Sequence, residues 1–254
     1  MQRTVGHWAV PFLLASVLAG CVVTDAVGVE TSAISPRIRV EAFPDGRAEV
    51  SVALWYGFAR VLELPAGDQL TLRREGEAPV TMVAGTDALG QQAYLGTVTG
   101  VDPSDALIVA LSRAVEEDAP STRSTVPAAF ALTAPAANTV YDAGDPIAMT
   151  WTAEAGDGVV EARLRAVACV DADAETFEFV AFINGLPASF DLSAGGGSLT
   201  NRGLIGDAAS CTFDLWAGRG GGEIDLDPAF AGVAASSVVV RLAPAIPVAF
   251  DAAP

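Results

Sequence analysis

The residues best equipped for chemistry in this chain are carboxylates in two alternating runs: Asp171, Asp173 and Glu175, then Glu223, Asp225 and Asp227. In an extended strand, alternation puts each set on a common side, and hard oxygens gathered that way suit Ca²⁺. Each run follows a cysteine, Cys169 or Cys211, so a bridge between those two would draw the runs together. Neither run has the glycine-pinned twelve-residue loop of an EF-hand. With 31 acidic residues in the chain, a plain solvated face competes with the metal reading. Calcium is the one cofactor these residues accommodate, and nothing in the sequence requires it.

Cys21 offers a different chemistry. Leu18-Ala19-Gly20-Cys21 ends an apolar run over residues 8–18, with Arg3 the only charge before it. That run is too short to span a bilayer and has the layout of an export signal over residues 1–20. Its ending in cysteine resembles the signal of a bacterial lipoprotein. The resemblance implies that Cys21 becomes the mature N-terminus, with a diacylglycerol on sulfur and a third acyl chain, such as palmitate, on nitrogen. One acyl chain holds only marginally at ~0.8 kcal/mol per buried methylene, so two or three make release negligible. Val22, where many inner-membrane lipoproteins carry aspartate, implies the outer membrane, facing the periplasm or the outside. No second spanning segment is expected, because the uncharged stretch 124–141 carries Pro127, Pro135 and Asn138.

Lipidation would leave Cys169 and Cys211 as an even pair in an oxidising compartment. Bridging them closes a loop of 42 residues, from 169 to 211, worth ~4 kcal/mol in the chain-entropy model. Two unpaired buried thiols are the alternative. A redox-active pair lacks its Cys-x-x-Cys spacing.

Absences narrow the chemistry further. Beyond residue 20 there is no lysine, and the one histidine, His7, leaves with the signal. Histidine-based triads, imidazole zinc sites, Schiff bases and Walker lysines are therefore excluded. Thirteen arginines face 31 carboxylates in the mature chain, a balance of −18. That sign argues against nucleic acid, whose phosphates need cationic partners. A paired-carboxylate glycosidase is the common hydrolase class still permitted.

Trp55-Tyr56-Gly57-Phe58 is the densest aromatic group. Trp55, Tyr56 and Trp216 are candidate platforms for stacking on sugar rings, with core plugs as the competing reading. The glycine runs 195–197 and 218–222 lack the lysine of a phosphate loop and read as mobile loops.

The elements that must position these residues are strands. Residues 37–43 alternate, Pro44-Asp45-Gly46 turns the chain, and 48–56 returns with Val50, Val52 and Leu54 on one face, a hairpin signature. Further strand-like runs at 60–64, 69–73, 79–83, 93–99 and 107–112 give the spacing of an Ig-like sandwich. Later runs fall at 147–151, 159–170, 177–183, 188–192, 211–216 and 237–242. Pro135, Gly144, Ile147 and Trp151 resemble the opening strands of Ig-like domains of bacterial surface proteins, and are similar to a Ser/Thr-rich fungal cell-wall family. That match spans residues 130–151 and implies fold, not activity.

The fold class expected is all-β: two Ig-like sandwiches in tandem after the signal. Residues 21–35 read as a lipidated tether, 36–115 as the first sandwich, 116–127 as a linker and 128–254 as the second. The function expected is an outer-membrane-anchored, non-catalytic envelope lipoprotein, a structural or protein-interaction module using loops or sheet edges. A glycan-binding surface lipoprotein is the alternative and needs exposed Trp55, Tyr56 or Trp216. A carboxylate-based hydrolase needs two acids facing each other at roughly 5–10 Å.

Overall fold

The computed structural model describes residues 22–57, 60–87, 90–142, 148–152, 160–170, 178–183, 189–191, 210–230 and 237–251. Among them β1 (Val22–Asp25) and a short 3-10 turn (Thr31–Ala33) lead to β2 (Ile34–Ala42) and β3 (Ala48–Tyr56). Ile34, Pro36, Ile38, Val40 and Ala42 are all buried while the residues between them are half-buried, as period-two patterning demands. The turn between β2 and β3 uses Gly46 at φ +80, which donates to the Phe43 carbonyl at 3.1 Å. Asp45 Oδ1 accepts the Arg47 N–H at 3.0 Å. A side chain at position 46 would strain that left-handed backbone.

The chain continues through β4 (Arg60–Glu63), β5 (Gln69–Arg74), β6 (Val80–Thr81), β7 (Val83–Thr86), β8 (Gln92–Val98), β9 (Ala106–Ser112) and β10 (Ala119–Thr125). There follow β11 (Leu132–Ala134), β12 (Thr139–Asp142), β13 (Ala148–Trp151), β14 (Val160–Val170), β15 (Glu178–Ile183) and β16 (Ser189–Asp191). The last are β17 (Ser210–Gly220), β18 (Ile224–Asp225), β19 (Val238–Leu242) and β20 (Ile246–Asp251). No helix among the described residues is long and apolar enough to cross a membrane.

These strands form three sheets. The largest runs β1-β4-β3-β2-β19-β17-β14-β15, with β8 and β7 branching from β3, and β20 and β12 from β17. The second is β18-β10-β9-β5-β6, and the third is β11-β13-β16. One apolar cluster joins Ile38, Val40, Val52 and Leu54 of the first sheet to Leu70, Leu72, Leu107 and Leu111 of the second. Each such fully buried side chain contributes about 1.5–3 kcal/mol, so this face-to-face packing is what makes a sandwich of the two sheets. The chain is all-β, as its alternation demanded.

Three segments behave differently from their reading as tether, linker and loop. Residues 22–25 are β1, paired in parallel with β4, so the stretch after Cys21 is part of the sheet. Residues 119–125, inside the expected linker, are β10, paired with β9 and β18. Its inward positions include Thr122 and Ser124, 2% and 3% exposed, so no apolar alternation announced it. Their hydroxyls satisfy the backbone instead: Thr122 Oγ1 accepts the Asp227 N–H at 3.1 Å, and Ser124 Oγ donates to the Leu107 carbonyl.

The glycine run 218–222 is likewise in the structure. Gly218 and Gly220 end β17, an eleven-residue strand with two partners on one edge. Its lower part, Ser210 to Leu215, pairs with β20, and Gly218 to Gly220 pair with β19. β19 then pairs in parallel with β2. Strands from both halves of the chain thus share one hydrogen-bonded sheet. Gly222 lies where the chain crosses to the second sheet: a Cβ there would sit 2.2 Å from the Thr125 carbonyl oxygen and 2.6 Å from Val239 Cβ.

Candidate functional site

Cys21 lies outside the described residues, and the first described strand, β1, begins at Val22. Val22 is opposite Arg60, Arg60 is opposite Tyr56, and Tyr56 is opposite Ile34. The start of β1 is therefore level with the end of β3 and the beginning of β2. After β1 the chain turns through Ala26 and Val29, whose N–H donates back to the Ala26 carbonyl at 3.1 Å. It then reaches β2 through the 3-10 turn.

Arg113 holds this entry segment to the body. It follows β9, and its own N–H donates to Asp118 Oδ1 at 2.6 Å. Its Nε donates to Asp68 Oδ2 at 2.6 Å, Nη2 to the Ala26 carbonyl at 3.2 Å, and Nη1 to the Val29 carbonyl at 3.0 Å and to Thr31 Oγ1 at 3.3 Å. Asp68 Oδ1 accepts the Ala114 N–H at 2.8 Å. Thr31 Oγ1 in turn donates to the Glu117 carbonyl. The Arg113 and Asp68 side chains are 2% and 4% exposed. Burying two charges is tolerable only when the remaining donors and acceptors are satisfied, and here they are shared out over the entry segment. The planar fork of arginine suits this task, since one side chain reaches several acceptors at once. Nearby, Tyr94 accepts the Leu64 N–H on its hydroxyl at 2.6 Å. Burial, the largest effect, raises its pKa against that hydrogen bond, and Glu63, Asp25 and Asp68 add to the rise.

The aromatic candidates separate. Trp55 is 6% exposed, and the Arg37 guanidinium lies over its ring at 4.2 Å, a cation–π contact. Its buried indole N–H has no hydrogen-bond partner among the described residues, and Ala53, Val61 and Ala93 cluster with it. A sugar-stacking platform needs an open ring face, and Trp55 has none. Tyr56 is 39% exposed and Trp216 is half-buried.

The acidic runs also separate. Asp171, Asp173 and Glu175 lie outside the described residues. Glu223 and Asp225 are exposed, whereas Asp227 is buried. Its Oδ2 accepts from the Ser121 N–H at 2.8 Å and the Ser121 hydroxyl at 2.6 Å, and its Oδ1 from the Ala229 N–H at 2.9 Å. Burial alone would raise its pKa, but these hydrogen bonds together outweigh it and hold the carboxyl below the usual value. Asp227 thus pins β10 to the segment after β18. Among the described residues no three Asp, Glu, His or Cys side chains gather as a metal site. Cys169 and Cys211 are directly opposite each other in the ladder of β14 and β17.

A groove of about 300 Å³ that sequence reasoning missed lies on the other side of β2 and β3 from the core. Arg39, Glu41, Glu49, Ser51, Asp87 and Thr97 contribute to its lining. Glu41 and Glu49 are direct partners across β2 and β3, a like-charge pair that destabilises a sheet unless neutralised. Arg39 Nε sits 2.5 Å from Glu41 Oε1, and Arg47 pairs with Glu49. Leu95, 37% exposed, and Val83, 68% exposed, are opposite each other beside it on β8 and β7. Alternation puts Arg39, Glu41, Glu49 and Ser51 on one face of the hairpin, but the groove becomes visible only through the pairing of β8 with β3 and of β7 with β8.

No protein-family model matches the chain, and no curated protein matches it. Among solved structures it is similar to the fibronectin(III)-like modules of Clostridium thermocellum CbhA, at 15% identity and TM-score 0.23, covering 85% of this chain and 93% of that one. It is similar to the chicken CNTN1 FN1-FN3 domains at 12% identity and TM-score 0.28, covering 85% of this chain and 66% of that one. A third likeness is the Yersinia pseudotuberculosis adhesin InvE, at 13% identity and TM-score 0.23, covering 84% of this chain and 60% of that one. Scores this low carry nothing about activity or partner; the strand ladders and the shared core are what establish an all-β sandwich protein.

Proposed function

We propose that this chain is an outer-membrane-anchored, non-catalytic envelope lipoprotein that works as a protein-interaction module. The observation that carries the interaction reading is the edge of β7. Among the described residues β7 pairs only with β8, and three of its four residues are exposed, Val83 at 68%. Edge strands in proteins that avoid partners are blunted by lysine, proline or a bulge. Val83-Ala84-Gly85-Thr86 has no lysine, proline or bulge, so its shortness, four residues, is the one such device it carries. An added strand would complete its hydrogen bonds, with alternate side chains reaching Leu95 and the groove. The partner this edge would take is an extended segment of another protein.

The test is photo-crosslinking in intact envelopes from a benzophenone amino acid at position 83. A stoichiometric protein adduct is expected, lost with Val83→Lys in a chain carrying the photoprobe at Leu95, and kept with Val140→Lys in that same chain. Recovery of the chain alone, together with envelope-glycan binding abolished by Tyr56→Ala, overturns this reading in favour of a glycan-binding lipoprotein.

A further inference from the structure

We infer that the end of the sandwich around the β1 start is a membrane-seating surface, lying against the headgroup region of a phospholipid bilayer. This rests on the anchor at Cys21 proposed above and goes beyond it, since an anchor alone does not say which face of the body meets lipid.

The first argument is reach. Sheet pairing begins at Val22, and one residue spans at most about 3.6 Å. Acyl chains on Cys21 would therefore be attached within one residue of the paired start of β1. Whatever surrounds that point must meet the interface.

The second is what surrounds it. Eight large apolar side chains are exposed among the described residues, and four of them are Val23 at 47%, Val27 at 68%, Tyr56 at 39% and Val115 at 90%. Val23 is on β1 itself. Tyr56 flanks Arg60 from the side opposite Val22. Val27 is in the turn that Arg113 grips through the Ala26 and Val29 carbonyls. Val115 is in the loop between Arg113 and Asp118, closed by the Arg113 N–H to Asp118 bond and joined to Thr31 through Glu117. Val23 and Tyr56 lie by the start of β1, and Val27 follows its other end, four residues on, where the Arg113 clasp joins it to the Val115 loop. Tyrosine is enriched at membrane–water interfaces, and the exposed valines add apolar area that an interface would bury.

The third is that the surface is held in shape. The buried Arg113 clasp joins the Val27 turn to the Val115 loop, so seating would order no floppy segment. Asp25, Glu30, Glu63 and Glu117 are exposed around the patch, which selects zwitterionic rather than anionic headgroups.

The experiment uses the full chain, purified in detergent from an expressing envelope and reconstituted into phosphatidylethanolamine–phosphatidylcholine vesicles. Intact mass is read first. An NBD fluorophore is then placed on Val115→Cys, on Val27→Cys and, as the remote control, on Val140→Cys, with the unsubstituted chain as the labelling blank. Seating predicts blue-shifted emission at 115 and 27, quenched several-fold more by nitroxide lipids than at 140, and weaker in phosphatidylglycerol vesicles. An acylated chain whose three probes emit alike, as in water, overturns the seating surface and leaves the anchor standing. An unmodified Cys21 overturns both. Blue shifts seen in native envelopes but absent from pure lipid vesicles assign the patch to a protein partner and overturn the proposal.

Discussion

Arg113 Nε lies 2.6 Å from Asp68 Oδ2 with both side chains almost wholly buried, although 45 residues separate them in the chain. The same guanidinium reaches the Ala26 and Val29 carbonyls, so one ion pair joins the β4–β5 connection, the end of β9 and the entry segment. Removing one partner of a buried pair strands the other. Asp68→Ala is expected to cost about 3–5 kcal/mol in denaturant unfolding. The loss should be largest, in amide exchange, over residues 22–33, because the clasp takes the Ala26 and Val29 carbonyls and the Thr31 hydroxyl of that segment. A variant that loses stability uniformly, with protection at 22–33 unchanged relative to the core, would show that the clasp does not hold the entry segment.

Gly222 makes a second joint. A Cβ would stand 2.2 Å from the Thr125 carbonyl oxygen, and a backbone atom of a paired strand has little freedom to retreat. Gly222→Ala should therefore destabilise by at least the ~1–3 kcal/mol typical of overpacking. Gly90→Ala is the matched control for steric effects, since a Cβ there meets nothing within 4 Å, though its φ of +72 brings a backbone strain of its own. Equal melting temperatures for wild type and Gly222→Ala would refute the close crossing.

Asp227 predicts an acid limb. Its folded pKa is depressed below the ordinary 3.8 despite burial, because Ser121 and Ala229 donate to the carboxylate. A depressed carboxyl contributes stability that is fully present above the unfolded pKa and lost as pH falls through the lower folded one. Wild type should thus lose stability below about pH 4 more steeply than Asp227→Asn. The variant should be less stable at pH 7 by about 1–3 kcal/mol, through imperfect replacement of the acceptor pair. Parallel stability–pH curves for the two proteins would remove Asp227 from the acid limb.

What was legible in the sequence follows from what each strand buries. β2 and β3 alternate Ile, Val and Leu against polar residues, so their pairing and turn were readable before any coordinates. β10 was hidden because hydroxyls that bond the backbone took apolar places, and Glu116-Glu117-Asp118 before it resembles a linker. β1 was hidden because four residues make too short a pattern, and its partner lies in another hairpin. Trp55 shows the limit for sites. Alternation puts it on the face away from Leu54, but only pairing with β2 reveals Arg37 across its ring. Asp227 shows the same limit for the acidic run, since its hydroxyl partner is 106 residues away in the chain.

Cys169 and Cys211 give the last prediction. Directly opposite residues in an antiparallel ladder have Cα atoms about 4.5 or 5.5 Å apart, depending on the pair type. Both spacings lie in the range of about 4.4–6.8 Å that disulfides span. The register of β14 and β17 means that a bridge here pins adjacent strands of one sheet instead of tying two sheets together. Those strands also carry the sheet towards β19 and β2, so the bridge would stiffen the route between the two halves of the chain. Protein expressed into an oxidising compartment and denatured without reductant should show no free thiol from this pair. Cys169→Ser, Cys211→Ser and the double variant should each lose the same stability, ~4 kcal/mol in the chain-entropy model, because a cross-link is lost whole when either end goes. Additive losses from the two single variants, or two titratable thiols per chain, would instead mean separate cysteines that face each other without bonding.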